Sequence, residues 1–249
     1  MTRFFAGVMR RQMSAAFRAV RVARPGVPSL PPDAPVIVYS NHPSWWDPAF
    51  CIVLGSTFFP DREGYGPMEA AALERYGFMR RIGIFGVTPG TPAGAAAFLR
   101  AGRRILEDPR RMLWVTAQGS FADPRARPLA LQGGVARLMS RMPGAVALPL
   151  ALEYPFWSEK RPEALAAFGA PVPAGPDPAT LGAALCGALE AAQDDLAARA
   201  MARDPTAFER ILGRRAGVGG VYGGWQRLRA AAMGRSHDPE HLSDADRAP

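Results

Sequence analysis

His42 and Asp47 are the residues of this sequence best placed to do chemistry. The carboxylate follows the histidine by five residues, across a turn set by Pro43 and Pro48. A carboxylate that holds one imidazole nitrogen fixes the tautomer and raises the basicity of the other nitrogen. Such a dyad can take a proton from a hydroxyl that attacks a thioester. The plain alternative is a structural histidine on a turn. Of the three histidines, His237 and His241 lie in a polar tail, and His42 alone stands beside apolar sequence. Ser44 reads as a cap of the first turn rather than a nucleophile, because no second histidine is near enough in sequence to activate it.

The elements around the pair decide whether it can assemble. Val36-Ile37-Val38-Tyr39 is a β-branched run that predicts a short buried strand. Pro43 and Pro48 each suit a first helical position, with Asp47 capping the second helix. His42 is therefore expected on a turn at the carboxyl end of a strand, where α/β sheets usually bind ligands. The alternation continues with a short helix over 69–76 and a strand over 84–87. A helix opened by Thr91-Pro92 then carries Ala95, Phe98, Leu99, Gly102, Ile105 and Leu106 on one face. A strand over 112–116, a loop to Leu131, a helix from Gly133-Gly134 to about Met142 and a strand over 146–150 follow. Helices between apolar strands predict an α/β sandwich with a largely parallel central sheet flanked by helices, plus peripheral helices at both termini.

Asn41-His42-Pro43-Ser44-Trp45-Trp46-Asp47 resembles the Asn-His-x-Ser-x-x-Asp block of the glycerolipid acyltransferase superfamily, whose members include the 1-acylglycerol-3-phosphate acyltransferases. Further partial matches come in the family's order. Gly83-Ile84-Phe85-Gly86-Val87 is similar to its second block but lacks the closing arginine. Ala117-Gln118-Gly119-Ser120-Phe121 stands in place of Pro-Glu-Gly-Thr-Arg and retains only the glycine. Ala147-Leu148-Pro149-Leu150 resembles the proline-containing fourth strand. The resemblance spans roughly residues 34–170. It implies transfer of a fatty acyl group to a hydroxyl of a lysophospholipid-like acceptor, with His42 as general base and Asp47 as its orienter. The donor would be an acyl thioester, acyl-CoA or acyl carrier protein, and no cofactor or metal is implied. Asn41, Ser44, Gln118, Gly119 and Ser120 are the implied substrate-binding residues. Gln118 and Phe121 supply neither the carboxylate nor the guanidinium of the family block. Arg125 and Arg127, just downstream, are candidate substitutes for its phosphate ligands, and a solvated basic face is the alternative. An acceptor without phosphate, such as a lyso-aminolipid or glycolipid, is a second expectation. A non-catalytic lipid-binding relative is the rival.

Composition sets the class. With 48% hydrophobic and 21% charged residues the chain is globular rather than disordered. Lys+Arg of 30 against Asp+Glu of 22 leaves a formal charge of +8, nearly all arginine, which predicts an anionic partner. There is no zinc spacing, aromatic RNA-binding block or recognition helix, so nucleic acid is not expected. Two unclustered cysteines, Cys51 and Cys186, argue against a disulfide framework and fit a reducing compartment. No apolar run approaches the roughly 18 residues of a membrane span. Residues 1–24 read as a basic amphipathic helix with a stripe from Phe4 to Val20. Such a helix suits an anionic lipid surface, packing on the domain, or a targeting segment. Peripheral attachment at the cytoplasmic face of a membrane is the expectation. Residues 25–170 are then the catalytic core, 171–235 a helical extension, and 236–249 a tail without order.

Overall fold

The structure is a computed structural model and describes residues 3–213 of the chain. Helix α1 (Arg3–Ala16) leads into strand β1 (Ala19–Ala23), then β2 (Val36–Ser40) and helix α2 (Asp47–Phe58). Strand β3 (Glu63–Glu69), helix α3 (Ala70–Arg75), a 3₁₀ turn (Gly77–Ile82) and strand β4 (Ile84–Val87) follow. Next come α4 (Pro92–Leu106), β5 (Arg111–Thr116), α5 (Gly134–Met139), β6 (Val146–Glu153), β7 (Ala164–Phe168) and β8 (Val172–Pro173). Helix α6 (Pro178–Ala202) and strand β9 (Phe208–Gly213) complete the described chain.

The strands form one sheet in the order β4-β3-β5-β2-β6-β7-β1-β9, with β8 against β6. β4, β3, β5, β2 and β6 run parallel. The fold is thus a largely parallel sheet with helices on both faces. Val36 and Val38 join Phe50, Val53 and Leu54 of α2, Met13 of α1 and Phe17, which follows α1, in one core. Ile37 and Tyr39, pointing the other way, pack with α4, α5 and α6 through Phe98, Leu106, Leu138 and Leu185. All five residues of β2 are buried, as a strand covered on both faces requires.

The termini differ from the helical expectation. α1 ends at Ala16, and residues 19–23 form β1 beside β7 and β9. The polar residue in that strand, Arg21, is buried against Glu163 at 2.9 Å and lies 5.6 Å from the Trp157 ring. In the segment read as a helical extension, α6 is followed by β9, which pairs with β1. The rest of that segment and the tail from 236 lie outside the described residues.

Capping follows the sequence at α4 and α6. Thr91 accepts the Gly94 amide at 3.0 Å, and Asp177 accepts the amides of Ala179 and Thr180 at 3.3 and 2.8 Å. Gly94 lies so close to the Thr88 backbone that a Cβ there would run into the Thr88 carbonyl oxygen. Gly94→Ala should therefore cost about 3 kcal/mol, a fall of roughly 6–12 °C in Tm read by calorimetry. An unchanged Tm would show that residues 88–91 yield without cost.

Candidate active site

Three adjacent parallel strands bring the site together. In register, Ser40 of β2 lies beside Thr116 of β5 and Leu150 of β6. The residues that follow these strands therefore meet at one edge: His42 after β2, Gln118 after β5, Tyr154 after β6.

His42 Nδ1 and Asp47 Oδ2 are 2.6 Å apart. Asp47 is wholly buried, whereas the His42 side chain keeps 17% of its surface. An ionised carboxylate has no proton to give, so Nδ1 donates and Nε2 is left as the basic nitrogen. The same Oδ2 accepts the Ser44 amide at 3.1 Å, and Oδ1 accepts the Tyr154 hydroxyl at 2.7 Å. Burial, and next the Asp47 carboxylate beside it, hold the Tyr154 hydroxyl well above its ordinary range, so it stays protonated as a donor.

Helix α2 starts at Asp47 itself, and the flanking Trp46 provides no side-chain cap. This corrects the expectation that Asp47 caps α2. Its carboxylate turns back to residues 42 and 44 instead of onto the helix amides. Residues 43–46 form a turn, not a helix begun at Pro43. The hydroxyl of Ser44 accepts the Trp46 amide at 3.2 Å and stabilises that turn.

The other expected residues divide into supports and surface groups. Asn41 is fully buried. Its amide donates to the Leu152 carbonyl at 2.9 Å and accepts the Leu152 amide at 2.8 Å. It clamps β2 to β6 and is out of a substrate's reach. Gln118 Oε1 accepts the His42 backbone amide at 2.8 Å, and the Ala122 amide donates to the His42 carbonyl at 3.0 Å. Gln118 thus fastens the backbone of the base to the neighbouring loop. Gly119, at φ 75°, makes the tight turn in that loop, and it is exposed together with Ser120. Arg125 is bidentate to Asp123 at 2.9 and 2.7 Å, on the surface. The same hydrogen bonds hold the Asp123 carboxyl below the usual carboxylate range. Arg127 reaches Asp194 of α6 at 2.5 Å. Both arginines therefore carry partners of their own.

Tyr154 escaped the sequence analysis. Phe121, named there only as lacking a guanidinium, lies against the ring: its centroid is 4.3 Å from that of His42, and the residue is 62% exposed. A cleft of about 340 Å³ lies on the opposite, α5–α6 side of the sheet, lined by Tyr39, Leu129, Val135, Leu185 and Cys186 among others. The dyad residues do not line it. Among the described residues no group of histidine, cysteine and acidic side chains could hold a metal ion.

No family model matches this chain, and no curated protein matches it. Among solved structures it is similar to the 1-acyl-sn-glycerophosphate (LPA) acyltransferase PlsC from Thermotoga maritima, at a TM-score of 0.58 over 79% of each chain. The chain has the fold of that acyltransferase. Sequence identity is 13%, so the likeness carries the architecture, and the chemistry rests on the dyad itself.

The Asn41 clamp generates a contrast. Asn41→Ala leaves a buried amide and a buried carbonyl of Leu152 without partners and should cost about 2–5 kcal/mol. Ser44→Ala, on a partly exposed turn, should cost about 1 kcal/mol or less. Chemical denaturation of both variants checks the order. Equal losses would show that the clamp is not what joins β2 to β6 at the site.

Proposed function

We propose that this chain transfers a fatty acyl group from an acyl thioester, carried by CoA or acyl carrier protein, to a hydroxyl of a lysophospholipid-like acceptor. The observation that carries this reading is the dyad: a buried carboxylate on Nδ1 of a histidine whose ring still meets solvent. His42 Nε2 removes the proton of the acceptor hydroxyl, and that oxygen attacks the thioester carbonyl. The tetrahedral intermediate collapses with loss of the thiolate, which takes the proton back from His42 and leaves as the thiol. Asp47 stabilises the imidazolium formed in between. Neither a covalent enzyme intermediate nor a cofactor is required.

The acceptor is lipid, and the exposed groups at the site edge suit a membrane surface. Trp45, Phe121 and Phe156 are 72%, 62% and 63% exposed, each on a loop that follows one of the three site strands. Aromatic side chains of this kind favour the interface between water and lipid. The buried side of the first segment, by contrast, packs against α2 through Met13 of α1 and the following Phe17, leaving Phe4 exposed at the start of α1. No helix among the described residues is long and apolar enough to cross a membrane. The proposed attachment is peripheral, at the cytoplasmic face. A second reading, an acceptor without phosphate, is favoured by Phe121 standing on the imidazole and by the Asp123 partner of Arg125.

His42→Ala should lower acyl transfer by roughly 10²–10⁴-fold with an unchanged Tm. Mass detection of the products from acyl-CoA, acyl carrier protein and a panel of lysolipids measures this and identifies the acceptor. Retention of more than about a tenth of the activity would remove His42 as the base. Absence of transfer from any donor to any acceptor would favour the non-catalytic lipid-binding relative.

Changing Arg125 and Arg127 together to Gln separates the acceptor readings. If they bind phosphate, KM for an anionic lysolipid rises about tenfold or more while a neutral one is unaffected. Equal KM values for both acceptors would assign the pair to its acidic partners alone.

A further inference from the structure

The dyad has one more partner, in the loop that follows β6. We propose that Tyr154 is a positioning residue for catalysis, holding the Asp47 carboxylate so that Oδ2 faces His42 Nδ1. This rests on the acyl-transfer reading for its kinetic consequence but not for its structural one.

A carboxylate can rotate about its Cβ–Cγ bond and offer either oxygen to the ring. Here each oxygen has its own donors. Oδ2 takes His42 Nδ1 and the Ser44 amide at 2.6 and 3.1 Å. Oδ1 takes the Tyr154 hydroxyl at 2.7 Å. The Tyr154 donor is thus the only one of the three that comes from outside the His42–Asp47 turn. It is also the one that ties the carboxylate to the sheet, through β6. The phenol ring is itself fixed, with Phe17, just after α1, at 5.4 Å and Phe50 of α2 at 6.2 Å between centroids. Cys51, the other ionisable side chain close to Asp47, is raised far above its ordinary range, chiefly by burial, and stays a neutral thiol. The oriented carboxylate in turn keeps the neutral ring in the form protonated on Nδ1, with Nε2 unprotonated and ready to act as a base. Without the hydroxyl, the carboxylate loses its hold on the sheet, and the ring is free to populate the other tautomer.

The test uses the full chain. Nitrogen-15 shifts of the neutral His42 ring, assigned by comparison with His42→Ala, report the tautomer directly and need no substrate. Wild type should be almost wholly Nδ1–H, and Tyr154→Phe, which removes one oxygen atom, should be a mixture. The same variant should lose about tenfold or more in kcat, with KM for donor and acceptor within about twofold. In an Asp47→Asn background, Tyr154→Phe should add less than about twofold, because both changes act through one carboxylate. A wild-type ring protonated on Nε2 would overturn the proposal without any variant. So would a Tyr154→Phe protein of unchanged tautomer and kcat, or losses that multiply in the double variant. If the tautomer shifts as expected but no acyl transfer is found with any acceptor, the positioning role stands and the acyltransferase reading fails.

Discussion

A carboxylate sealed from water is the constraint on which the rest of this structure depends. Asp47 is wholly buried, and an ionised group in that setting survives only when its oxygens are hydrogen-bonded. Its donors are the His42 ring, the Ser44 amide and the Tyr154 hydroxyl. Two of them lie within five residues of Asp47, and the third is 107 residues away. Local sequence can shape the turn, but only a correctly registered sheet can bring the third donor. The third donor is therefore in place only where β6 lies beside β2. A slip of β6 by one residue would turn Tyr154 to the other face of the sheet.

Several features guard that register. Asn41 holds Leu152 through both its donor and its acceptor, so a shift of β6 breaks two buried hydrogen bonds. On the other side, Gln118 and Ala122 fix the backbone of His42 to the loop after β5. The His42 backbone is held from both neighbours while its side chain keeps 17% of its surface. The residue after α1 takes part as well. Phe17, in the core, meets both Trp46 of the turn and Tyr154, with centroids 5.3 and 5.4 Å away.

The dyad and the central strands were legible because their signals are local. A β-branched run ending in Asn-His, two prolines and a carboxylate specify a strand, a turn and a helix start within about a dozen residues. Thr91-Pro92 and Asp177-Pro178 announce their helices in the same way. What was missed is non-local. Ala19–Ala23 continues the apolar spacing of α1, and its strand character depends on β7 and β9, which arrive much later in the chain. Arg21 looks like a residue of a solvated face until Glu163 stands beside it. Asn41 carries a polar side chain next to the base and so resembles a substrate ligand, yet its partners are the backbone groups of a strand. Tyr154 has no motif at all, since only the register of β6 gives its hydroxyl a purpose.

The change of character around the ring bears on the substrate. Phe121 covers the imidazole where the resembled family block has an arginine, so the surroundings of the base are apolar on that side. An aromatic ring there carries no charge. It also offers no attraction to a phosphate. The nearby guanidiniums already have carboxylates of their own, so a headgroup phosphate would have to displace Asp123 or Asp194 to reach them. Exchange of one exposed ion pair for another yields little net free energy. Under the proposed function, the acceptor would then be distinguished more by its shape and apolar surface than by its headgroup charge. Trp45, Phe121 and Phe156, exposed on the loops after the three site strands, are the groups that would supply that apolar contact.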